Sequence, residues 1–74
     1  MINVVKLNSK VTIENYNKHQ FTVILVDSNK VNLKENKISE RSPLGKALLE
    51  HKEKEDVKVQ TPEGEKIYRI LAIK

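Results

Sequence analysis

The sequence predicts an α+β domain in which an antiparallel sheet of four or five strands half-wraps one short helix. Three observations support this. Apolar and polar residues alternate with period two at Lys10–Glu14 and Val57–Gln60, the spacing of half-buried strands. A single stretch, Ser42-Pro43-Leu44-Gly45-Lys46-Ala47-Leu48-Leu49, carries helix-start chemistry. Thr61-Pro62-Glu63-Gly64 is a tight turn between two β-patterned runs, with proline fixing φ and glycine free to take positive φ.

Length and composition set the bounds. A chain of 74 residues is one small domain, burying only about 60% of its unfolded surface. It has no cysteine, so neither a disulfide framework nor a Cys-based zinc site supports the core. Met1–Lys6 holds no apolar run of signal-peptide length and nothing approaches a membrane span, so a cytoplasmic setting is expected. The net charge is +4, most of it in residues 1–34, where five basic side chains face two acidic ones. Such an excess fits a solubilising surface and does not demand nucleic acid.

In chain order, Lys10–Glu14 is a half-buried strand and Tyr16–His19 a polar turn, with Asn17 tolerating left-handed backbone. Gln20–Val26 is the most apolar run, and its loss of alternation at residues 23–26 predicts a central strand covered on both faces. Together residues 10–26 read as a hairpin. Asp27–Asn36 has no period and reads as a surface loop pinned by Val31 and Leu33. Lys37–Ser39 is a short strand leading into the helix.

The helix is expected over about 43–50. Ser42 caps it and Pro43 takes the first position, where a missing N–H costs nothing. Leu44, Ala47, Leu48 and His51 share one face, with the first three packed on the sheet and His51 near the negative end of the dipole. Gly45 is a poor helix former here, by up to ~1 kcal/mol against alanine, so either something approaches closely at that point or the cost is simply tolerated. Lys52–Asp56 reads as a solvated connection. The final run, Glu65–Ile73, changes phase between Tyr68/Ile70 and Leu71/Ile73, so either both of its faces are covered or, the favoured reading, a β-bulge near Ile70-Leu71 switches the register.

Candidate chemistry is sparse. Gly45 and Gly64 stand too far apart for a phosphate loop. His19 and His51 lack ligand-spaced partners, so no metal or cofactor is expected. Glu50, Glu53, Glu55 and Asp56 are interleaved with Lys52 and Lys54 and read as a charge-balanced turn rather than an acid–base pair. Ser39 and Ser42 have no adjacent base, and catalysis is not expected. Of three aromatics, Phe21 and Tyr68 occupy strand positions that look like core, which leaves Tyr16 alone and direct DNA binding unsupported.

Ile38-Ser39-x-x-Ser42-Pro43-Leu44-x-x-Ala47-Leu48, followed by Val57-x-Val59-x-Thr61-Pro62-x-Gly64, resembles the C-terminal domain of the bacterial Gre transcript-cleavage factors. Val11-Thr12-Ile13 and Thr22–Val26 fit the spacing of that domain's first hairpin, so the resemblance covers about Val5 to Ile73. It implies an FKBP-like fold and a module that docks on the rim of the RNA polymerase secondary channel, against a coiled coil of the β′ subunit. In that family a separate N-terminal coiled coil holds the catalytic magnesium. Here the match begins near Met1, so that coil is absent from the reading and transcript cleavage is not expected. The resemblance places partner contacts at Arg41, Ser42, Pro43, Leu44 and Lys46, with the 27–36 loop beside them. The residue before Ser-Pro is often acidic or asparagine in the family, and Arg41 reverses that charge. An FKBP-like fold also raises prolyl isomerase activity, but three aromatics and no tryptophan are poor material for a proline pocket.

Overall fold

The computed structural model describes residues 3–74. Six elements follow in order: β1 (Lys10–Asn15), β2 (Gln20–Val26), β3 (Lys37–Ser39), α1 (Pro43–Leu48), β4 (Asp56–Thr61) and β5 (Gly64–Ile73). The strands form one sheet in the order β3-β2-β1-β5-β4. β1 pairs antiparallel with both β2 and β5, and β5 with β4. The β2–β3 pair is parallel, with Leu25 opposite Ile38, so the sheet is mixed rather than wholly antiparallel. Periodicity reports which face a residue takes and is silent on strand direction.

A parallel return requires the chain to double back through residues 27–36. That segment is more ordered than a plain loop. It forms two 3₁₀ turns, Ser28–Lys30 and Leu33–Glu35, capped by the side chains of Asp27 and Asn32. Asn36 then takes a left-handed conformation (φ 60°) to re-enter the sheet, a role asparagine fills with little penalty. Val31 and Leu33 do not pin the segment, because Leu33 is 75% exposed. Polar caps, reciprocal Asn32–Lys37 backbone bonds and a 2.8 Å Lys37–Glu35 ion pair hold it instead.

The core lies on one face of the sheet. Val11 and Ile13 of β1, Val23 and Leu25 of β2, Val57 and Val59 of β4, and Ile70 and Ile73 of β5 are buried with Val5 and Leu48. Ile70 and Ile73 share this face because of the expected bulge: Thr12 faces Ala72 while Ile13 faces Ile70, leaving Leu71 as the extra residue. β2 is an interior strand, but its second face is only partly covered, since Thr22 and Ile24 remain half-buried and Val26 alone is buried there. One short helix cannot cover two faces. Phe21 and Tyr68 meet edge to face at 5.9 Å, yet Phe21 stays 37% exposed at the margin of the core.

Local chemistry at the turns differs in two places from the sequence reading. In the β1–β2 turn Lys18 takes the positive φ (66°), and Asn15 accepts the amides of Asn17 and His19. The Lys52–Asp56 connection is bound to the bulged end of β5. Lys54 N–H donates to Ile70 O, Ile70 N–H to Glu55 O, and Ile73 N–H to the Glu53 carboxylate at 2.8 Å. Two of the clustered carboxylates therefore serve the backbone, as Glu55 also accepts the Lys52 amide.

Across β4 and β5, Asp56 and Arg69 stand opposite one another and form a two-pronged pair at 2.8 and 3.4 Å. The Arg69 hydrogen bond holds the Asp56 carboxyl below its usual range. A carboxyl depressed in the fold stabilises above its unfolded value, roughly pH 4, and loses that contribution as pH falls through the folded value. Thermal melts of wild type and Asp56→Asn should therefore differ slightly at pH 7 and converge as the pH is lowered below 4. A gap that widens on acidification would contradict the pairing.

Candidate functional site

The β3–α1 corner is built from backbone outward. Ser39 O, the last carbonyl of β3, accepts the Ser42 amide at 3.0 Å and the Ser42 hydroxyl at 2.7 Å. The same hydroxyl oxygen accepts the Gly45 amide at 3.0 Å, satisfying a free N–H of the first helical turn. Ser39 Oγ accepts the Arg41 amide at 2.9 Å and shares a hydrogen bond with Ser28 Oγ at 3.0 Å. The corner is thereby tied to the 27–36 segment. Gly45 is required by this closure: a Cβ there would collide with Ser39 O and crowd Ser42 Oγ and Glu40 Cα. Of the two readings of its helix position the structure shows the close approach, that of the helix to its own entry strand.

α1 is shorter than the expected 43–50. It ends at Leu48, with Leu49 extended and Glu50 left-handed (φ 67°). The reason is competition for the backbone: Glu50 N–H donates to Val5 O, and His51 O accepts Val5 N–H. His51 therefore lies beyond the helix, its ring nitrogen 3.6 Å from Glu55, and does not extend the Leu44/Ala47/Leu48 face. Of that face Leu48 is buried, while Leu44 and Ala47 are half-buried against the core.

Two depressions flank the corner. The first is apolar, with a volume of about 390 Å³, lined by Val31, Leu33 and Ile38, by Pro43 and Leu44, and by Val59 and Tyr68, with Ser39, Ser42 and Thr61 at its edges. The second, about 420 Å³, lies between α1 and β4 and is lined by Arg41, Pro43, Lys46, Ala47, Lys58 and Gln60. All five sequence-predicted residues fall on these walls: Ser42 and Leu44 in the first, Arg41 and Lys46 in the second, and Pro43 on the ridge between them. Ser42 lines the first depression while its hydroxyl makes the cap. Sequence reasoning missed Lys58 on β4 and Val59 and Tyr68 on the sheet, because strand pattern does not reveal that α1 rests on β4. Among the described residues no group of three or more His, Cys, Asp or Glu is placed to hold a metal ion, and no helix is long and apolar enough to cross a membrane.

This architecture has counterparts among known proteins. Residues 2–74 match the sequence family described as "Transcription elongation factor, GreA/GreB, C-term". The chain belongs to the GreA/GreB family, as its C-terminal domain. It is 39% identical over 71 residues to transcription elongation factor GreA of Syntrophomonas wolfei, covering 95% of this chain and 45% of that protein. GreA of Clostridium acetobutylicum is 39% identical over 72 residues, covering 96% and 46%. The chain thus spans about half the length of the curated relatives it matches. In structure it superposes on Thermus aquaticus Gfh1 with a TM-score of 0.87 at 36% identity, over 99% of this chain and 49% of that one. The GreA/GreB factor of Nitrosomonas europaea gives 0.79 at 28% identity, over 99% and 62%. The Gre-type fold expected from the Ser-Pro and Thr-Pro motifs is the fold observed.

The corner makes two stability predictions, both of destabilisation. Gly45→Ala should destabilise the domain by about 1–3 kcal/mol through overpacking, although helix propensity alone favours alanine. Ser42→Ala should cost about 1–2 kcal/mol by loss of the cap. Urea unfolding of the two variants checks both, and a stabilised Gly45→Ala would refute the closure.

Proposed function

We propose that this domain is the RNA-polymerase-binding module of a Gre-type elongation factor, without transcript-cleavage activity of its own. In this reading it acts in the bacterial cytoplasm. It docks on the rim of the polymerase secondary channel against the β′ coiled coil, through Arg41, Ser42, Pro43, Leu44 and Lys46 with the 27–36 segment beside them. Family membership sets the context, and one observation carries the docking surface. The apolar depression beside Pro43 is left open, with Leu33 75% exposed and Val31 42% exposed at its rim. A small domain that leaves adjacent apolar side chains in water has them available for a partner. A prolyl isomerase reading gains less from the same depression, since among the described residues Tyr68 is the only aromatic on its wall.

Binding to purified bacterial core polymerase tests the proposal. Wild type should be retained at micromolar concentration, and Leu33→Asp should bind about tenfold more weakly or worse, the loss expected when a well-placed apolar contact of over 1 kcal/mol is removed. Leu33 is too exposed for its replacement to threaten the core. No retention of wild type would defeat the reading, and cleavage of transcripts in stalled complexes by this domain alone would defeat its second half.

A further inference from the structure

The second depression has a charge that the apolar one lacks. Arg41 from the corner, Lys46 from α1 and Lys58 from β4 converge on one concavity, and none of its lining residues is acidic. All three are exposed. The ion pairs among the described residues are Lys37–Glu35, Arg69–Asp56 and His51–Glu55, so none engages this trio. Glu65, across the sheet from Gln60, has its carboxylate held by the Gln60 amide at 2.9 Å. The fold therefore presents three cations of separate sequence origin with no internal counter-charge on the wall.

We infer that the two depressions form one composite recognition surface for an acidic protein segment. An apolar side chain of the partner enters between Leu33, Ile38, Leu44 and Tyr68, and carboxylates next to it lie over Arg41, Lys46 and Lys58. Pro43 lines both depressions and sets the division between them. Its ring is rigid and has no N–H to satisfy. Charge complementarity selects the occupant: apolar contact supplies affinity, and the cations reject segments that are neutral or basic. Nucleic acid fits less well. The most exposed aromatic, Tyr16, lies on the β1–β2 turn and lines neither depression, while Tyr68 on the apolar wall is half-buried and packed edge to face on Phe21. The inference deepens the polymerase reading by naming the charge of the segment that docks, and it also stands on geometry independent of that reading.

Two measurements separate the inference from the reading it deepens. In the first, core polymerase is titrated with wild type and with the triple variant Arg41→Gln, Lys46→Gln, Lys58→Gln, whose far-UV spectrum and melting temperature should match wild type. The variant should bind about tenfold more weakly, as expected for several rim charges together, and with a shallower dependence on salt. In the second, the ¹⁵N-labelled domain is titrated with a leucine-centred peptide flanked by glutamates, with its lysine-flanked counterpart, and with a single-stranded RNA oligonucleotide. The acidic peptide should shift the amides of Arg41, Lys46 and Lys58 together with those of Leu33, Ile38 and Leu44. Polymerase binding unchanged in the triple variant would overturn the inference while leaving the docking reading intact. Shifts by the acidic peptide without polymerase binding would support the inference and defeat the docking reading. Absence of acidic-peptide shifts, equal response to the lysine peptide, or tighter binding of RNA lost in the triple variant would each overturn the inference.

Discussion

The carbonyl of Ser39 closes this domain. It ends β3, takes two hydrogen bonds from Ser42, and leaves room for the helix only because Gly45 has no side chain. The direction of α1 follows from that contact, and with it the placement of Leu48 in the core and of Leu44 and Ala47 at its edge. Among the described residues no buried side-chain polar atom is left without a partner, so the corner is compact and also fully satisfied. A bulkier residue at position 45 would push α1 from β3, and the displacement would reach the sheet through Leu48. Local hydrogen bonding and core packing are here one constraint.

That constraint explains the open surface. α1 spans only Pro43–Leu48, about 9 Å at 1.5 Å per residue, and it is asked to cover a five-stranded sheet. It covers the part nearest β4 and leaves the groove toward Val31 and Leu33 unfilled. The helix could have run further by its own pattern, but Val5 competes for Glu50 and His51 and stops it. The N-terminal segment therefore limits how much of the sheet the helix can shield. An exposed apolar groove is the geometric remainder of a small fold with one short helix.

Legibility in the sequence divided along the range of the interactions. The Ser42 cap, Pro43 at the first turn, the Gly64 turn (φ 118°) and the bulge at Leu71 were readable because each is set by residues within a few positions. The bulge is the most telling case, since two apolar phases in one strand can share a core only if an extra residue intervenes. What escaped was set by partners distant in sequence. The parallel β2–β3 pair depends on where residues 27–36 return, and asparagine caps in that segment resembled ordinary loop composition. The Glu53 carboxylate looked solvated because nothing local shows that β5 brings the Ile73 amide to it, or that Ile70 bonds the backbones of Lys54 and Glu55. The site was half legible for the same reason: Arg41, Pro43, Leu44 and Lys46 lie together in sequence, whereas Lys58, Val59 and Tyr68 join them only through the packing of α1 on β4.

Position 41 shows how such a fold can keep its shape and change its surface charge. The corner uses only the Arg41 backbone, whose N–H donates to Ser39 Oγ, and any residue but proline offers that donor. The Arg41 side chain is exposed and makes no ion pair among the described residues. Folding therefore places almost no condition on its charge, while a partner seated over Pro43 would meet that charge first. Ser42, Pro43 and Gly45 are in the opposite position, because a change at any of them alters the closure itself. A motif fixed by the backbone and bordered by an unconstrained charge separates two demands: the Ser-Pro-x-Gly corner supplies shape, and in the docking proposed above the residue before it would supply selectivity. Substitution at position 41 can change that charge without disturbing the fold, because the corner uses only the backbone there.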